Sequence, residues 1–67
     1  MKGKPDIKVL TPEIILRFLE YGFYNIDMVL WDFNRRGFKY HEILEVLATC
    51  FKKGLIYVDH EGLLDVV

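Results

Sequence analysis

Side chains able to support nucleophilic, acid-base or metal chemistry are sparse in this chain: one cysteine, Cys50, two histidines, His41 and His60, and the carboxylates. Cys50 and His41 fall on one predicted helix, about 180° apart around its axis, so a thiol and a base cannot meet there within a single chain. Asp59, His60 and Glu61 are consecutive residues of a predicted turn, where neighbouring side chains diverge. Their spacing matches no zinc site. Serine is absent, which removes one common nucleophile, and no glycine-rich phosphate loop occurs. These residues predict no catalytic centre, no metal site and no cofactor. The chain reads as a non-enzyme with no evident small-molecule substrate.

Two other sets of residues are suited to binding. Arg35, Arg36 and Lys39 form a compact basic cluster, and Lys2, Lys4 and Lys8 add cations near the N-terminus. Such groups contact phosphate, or they sit as a solvated turn that complements the negative end of a helix dipole. The second set is apolar: Met28 and Trp31 on one predicted helix, and Leu44, Ala48 and Phe51 on the next. Tryptophan is over-represented among binding hot spots, which makes Trp31 a candidate interface anchor. Met28 and Trp31 pack either against a partner or under the chain's own N-terminal arm or hairpin.

The elements that must position these residues follow from periodicity and capping. Residues 1–10 carry lysines with Gly3 and Pro5 and no periodicity, and read as a basic N-terminal arm. Thr11-Pro12-Glu13 is a helix start, with a hydroxyl for the cap and a proline where its missing N–H costs nothing. The first helix is predicted from Pro12 to Tyr21, stopping at Gly22. Phe23-Tyr24 is a short connector, read as a brief extended segment. Asn25 or Asp27 caps a second helix that runs to Arg35 or Arg36 and ends at Gly37, with Ile26, Val29, Leu30 and Phe33 as its core stripe. The third helix runs from Tyr40 to Lys53, with Gly54 just past its end. Its apolar residues sweep an arc of roughly 200°, wider than the stripe of about 100° that a core requires. The surplus edge, Leu44, Ala48 and Phe51, needs cover from the hairpin or from another chain. Leu55 to Val58 and Leu63 to Val67 flank the turn residues Asp59 to Gly62, which predicts a hairpin.

Sixty-seven residues make one domain's worth of chain, and a domain of that size is marginally stable. Half of the residues are hydrophobic, 52%, and 15% are aromatic, so apolar surface is left over for a partner. The formal charge of −1 provides no global attraction to phosphate, and nucleic-acid binding would need a local basic patch. No signal peptide or membrane span is evident, and a single thiol fits a reducing compartment. The expected location is the cytoplasm, with no membrane association. Glutamine is absent as well as serine, and depletion of labile amides is one mark of thermophile proteins.

The fold class predicted is α+β, mainly helical: a three-helix domain over residues 11–67 closed by a C-terminal β-hairpin. Helix, short turn, helix, then Phe51-Lys52-Lys53-Gly54-Leu55-Ile56 leading into the hairpin resembles the winged helix-turn-helix superfamily over about residues 11–67. That resemblance implies a winged-helix-like domain whose third helix reads the major groove of DNA while the hairpin tip touches the neighbouring backbone. Carried over by position, Tyr40, His41, Leu44, Glu45, Ala48 and Thr49 would face bases, with the arm lysines, Arg35, Arg36 and Lys39 on phosphate. Those positions hold few of the side chains that read bases, and Glu42, Glu45, Asp59 and Glu61 repel phosphate. The sequence therefore favours a small regulator or adaptor acting through protein contacts, as a homodimer or as a docking subunit. The alternative is a DNA-binding transcriptional regulator.

Overall fold

The computed structural model describes residues 9–67. Its elements are α1 (Pro12–Leu19), α2 (Ile26–Arg35), α3 (Tyr40–Lys52), β1 (Ile56–Val58) and β2 (Leu64–Val66). The chain is thus α+β and mainly helical, with three helices followed by one antiparallel hairpin. The register pairs Ile56 with Val66, Tyr57 with Asp65 and Val58 with Leu64. Tyr24, in the segment between α1 and α2, pairs with the other edge of β2. The Leu64 N–H donates to the Tyr24 carbonyl at 2.8 Å. The short connector is extended, as its sequence predicts, and it covers the edge of the hairpin.

Helix ends depart from expectation in instructive places. Pro12 does open α1, but the Thr11 side chain makes no cap bond; the Thr11 carbonyl instead accepts from the N–H groups of Ile14 and Ile15 at 3.1 and 3.3 Å. The helix closes at Leu19, two residues short of Tyr21, because the chain must turn out early to bring Tyr24 to β2. Asn25 caps α2, its side chain accepting from the Met28 N–H at 2.8 Å. Both α2 and α3 end in the same motif. The Phe38 N–H reaches back to Phe33 O at 3.2 Å and Gly37 N–H to Asn34 O at 3.0 Å; Leu55 N–H reaches Cys50 O at 2.9 Å and Gly54 N–H reaches Phe51 O at 3.0 Å. This is the paired bonding of a Schellman turn. It requires positive φ at the residue past the cap, which Gly37 (108°) and Gly54 (72°) supply. Two glycines thereby set how α2 enters α3 and how α3 enters the hairpin.

The core lies where the inward faces of the three helices meet β1 and β2. Its buried members are Leu10, Ile15, Leu19, Val29, Phe33, Phe38, Ile43, Leu47, Cys50, Ile56 and Leu64. Two of these carry information that periodicity lacks. Leu10, assigned to the arm on sequence, is 7% exposed and belongs to the core; Phe38, in the α2–α3 turn, is 6% exposed with its ring 6.2 Å from that of Phe33. On α2 the predicted stripe narrows to Val29 and Phe33, with Leu30 partly buried and Ile26 36% exposed. Arm residues 1–8, including Lys2, Lys4 and Lys8, lie outside the described residues. Among those described, no helix is long and apolar enough to cross a membrane.

Candidate interaction surface

The outward face of α2 carries Asp27, Met28, Trp31 and Arg35, all exposed. Met28 and Trp31 keep 44% and 58% of their surface accessible. No hairpin residue lines the hollow of about 410 Å³ beside them, which is bounded by Tyr24, Asn25, Asp27, Met28, Trp31 and Asp32. Cover of Trp31 by the hairpin, one of the two intramolecular options open from sequence, is therefore not what the fold does. The Arg35 guanidinium lies 4.8 Å from the Trp31 ring centroid, an i, i+4 cation–π contact along the helix. Among the described residues neither Asp27 nor Arg35 forms an ion pair.

Leu44, Ala48 and Phe51 share one face of α3 at i, i+4 and i+7. Leu44 is 48% and Phe51 37% exposed, and Ala48 is exposed beside them. The surplus edge of α3 thus stays open to solvent, not covered by the hairpin. No α3 residue lines the Trp31 hollow, so the apolar candidates fall on two separate faces.

The basic cluster divides. Arg36 stays exposed but lies over Phe33 and Phe18, at 5.2 and 5.6 Å from their ring centroids, and its guanidinium sits 3.0 Å from the Asp32 carboxylate without hydrogen-bond alignment. Arg35 instead joins the α2 face. Lys39 precedes α3 with its backbone N–H donating to Glu42 Oε1 at 2.8 Å; this is one half of a capping box, since a lysine side chain has no acceptor to return the bond. Tyr40 and His41 are exposed on the first turn of α3.

Several carboxylates serve local structure. Asp59 Oδ1 accepts from the N–H groups of Glu61 and Leu63, each at 2.9 Å, and so shapes the hairpin loop. Asp65 Oδ2 faces the Tyr57 hydroxyl at 3.4 Å across the strand pair, and its charge pushes the Tyr57 phenol up. Among the described residues no three of His, Cys, Asp and Glu come together as a ligand set.

Cys50 is fully buried. Burial pushes its thiol up, and the charge of Glu13 adds to this, while Lys53 acts the other way. A raised folded-state value means the stabilisation is complete while the unfolded thiol stays protonated and is lost as pH climbs past it. Unfolding free energy should accordingly fall above about pH 8.5, by at most about 1.4 kcal/mol per pH unit for one group. Urea melts at pH 7 and pH 9.5 check this: Cys50→Ala should show a smaller loss than the wild type, and an equal loss would exclude the thiol as its source.

Sequence reasoning missed two features. Tyr21 and Phe23 are 79% and 83% exposed; Tyr21 follows Ile14 and Phe18 at helical i, i+4, i+7 spacing and was readable, whereas Phe23 lies in a connector with no periodicity to mark it. Asp27 and Arg35 were also not connected to Trp31, although each is four residues from it, a spacing that was readable. No protein-family model, no curated protein and no solved structure matches the chain.

Proposed function

We propose that the chain is a small non-enzymatic regulator or adaptor of winged-helix-like layout that works through protein contacts, most simply with a second copy of itself. The carrying observation is the open face of α2, where Trp31 and Met28 stand 58% and 44% exposed beside a hollow that no other described element fills. A tryptophan held out on a regular helix is costly to leave wet and is the residue type most concentrated in binding hot spots. The free, buried Cys50 fits a reducing compartment, which supports a cytoplasmic site of action. Sedimentation velocity of the full chain from about 5 μM to 1 mM tests the reading, this span covering the affinities of small interfaces. A concentration-dependent rise toward a dimer is expected. A monomer throughout would overturn the self-association form.

A second reading is a winged-helix DNA-binding regulator. It draws on one observation, the α2–turn–α3 layout with Lys39, Tyr40 and His41 exposed where α3 begins. Against it stand Arg36, turned toward Asp32, and the carboxylates of Glu45 and Glu61 on the faces that would approach phosphate. Duplex binding measured across salt separates the two. A steep linear fall of log affinity with log salt would favour DNA, and absence of binding at low salt would exclude it.

A further inference from the structure

Asp27, Trp31 and Arg35 form one i, i+4 row along α2, and all three are exposed. Trp31 is at the midpoint, with a negative charge one turn toward the N-terminus and a positive charge one turn toward the C-terminus. Such a row is self-complementary under a two-fold axis. In the commonest class of helix packing, the i±4 rows of two helices lie alongside each other. Two antiparallel copies of α2 packed in this way would bring Asp27 beside Arg35 of the second copy, and Arg35 beside Asp27 of the second copy. The tryptophans would meet at the axis, flanked by Met28.

Resting on the protein-contact reading, we infer that α2 is a homodimer seam, with Trp31 at its two-fold axis and reciprocal Asp27–Arg35 ion pairs on either side. The seam is isologous, using the same patch on both copies. Both charges are uncommitted within the described chain, since the ion pair found there is Arg36 with Asp32. Arg35 lies over Trp31 at 4.8 Å, which keeps its guanidinium on the face the seam would bury. Asn25 caps the start of α2 and Gly37 ends it, leaving a rigid ten-residue rod. The contact is small: a helix of this length spans about 15 Å. Interfaces below about 1,200 Å² are weak and transient, so a dissociation constant of roughly micromolar to sub-millimolar order is expected.

Charge reversal tests the seam. Asp27→Arg sets like charges against each other at both ends of the homodimer, and Arg35→Asp does the same with the opposite sign. Each single variant should weaken self-association roughly tenfold to thirtyfold, by the usual size of exposed ion pairs and repulsions. The double variant Asp27→Arg/Arg35→Asp should recover wild-type association. An equimolar mixture of the two single variants should also recover it, because every facing pair is then opposite in charge. Sedimentation equilibrium reads all four, and circular dichroism verifies that each variant is folded. A wild-type dimer insensitive to these exchanges, but broken by Leu44→Glu on α3, would overturn the α2 seam while leaving the protein-contact reading intact. A wild type that stays monomeric to 1 mM would overturn the seam and the self-association reading together.

Discussion

Phe33→Ala is expected to abolish the cooperative thermal transition of this protein. Phe33 is 1% exposed, and its ring meets Phe18 of α1 edge-on at 4.9 Å and Phe38 of the α2–α3 turn at 6.2 Å. It is the largest fully buried side chain and therefore ties α1, α2 and the turn to one another. Deleting such a ring typically costs about 3–5 kcal/mol, through lost transfer free energy and the cavity that remains. A core in a chain of this length rarely supplies more than about 3–5 kcal/mol of net stability, so the substitution consumes all of it. Arg36 would suffer as well, since its guanidinium packs 5.2 Å from the same ring centroid. Far-ultraviolet circular dichroism during heating is the check. A sigmoidal melt shifted by only a few degrees would show that the aromatic cluster is not the keystone its contacts imply.

Leu64→Ala should come next in effect, with a loss of about 2–5 kcal/mol. Leu64 is 3% exposed and opens β2. It pairs with Val58 on one side and Tyr24 on the other, so one residue joins the hairpin to the connector between α1 and α2. Tyr24 in turn stacks on Phe18, with ring centroids 4.3 Å apart. Removing the Leu64 side chain should release the hairpin from the helices, speeding amide exchange at Leu64 and Val67, whose N–H groups bond to Tyr24 and Leu55. Val58→Ala is the matched control. Val58 is 47% exposed on the same hairpin, and its truncation should move stability by no more than about 0.5–1 kcal/mol. Equal losses in the two variants would mean that the hairpin is held by its own pairing and not by burial of Leu64.

Much of the architecture was readable from local chemistry. Pro12, Asn25, Gly37 and Gly54 mark helix boundaries because each acts locally: through a missing N–H, a side-chain acceptor, or access to positive φ. Val29, Phe33, Ile43, Leu47 and Cys50 follow from helical periodicity alone. The hairpin follows from β-branched and aromatic residues on both sides of Asp59 to Gly62. Burial that depends on distant chain was less accessible. Leu10 and Phe38 belong to no repeating pattern, and both enter the core because the folded helices leave space there.

The candidate surface divides in the same way. From sequence alone, Met28, Trp31, Leu44, Ala48 and Phe51 were in excess of what a small core can bury, and the structure leaves them at the surface. That excess is a property of composition and helical angle, which need no fold to be counted. The separation of Arg36 from Arg35 was decided by tertiary structure, because Phe18 arrives from α1 to pack under the Arg36 guanidinium, leaving Arg35 beside Trp31. Adjacent arginines look alike in a sequence. They come to differ only when another element packs against one side of the helix, and on α2 that packing splits a basic cluster into an Arg36 laid over Phe18 and Phe33 and an outward row of Asp27, Trp31 and Arg35.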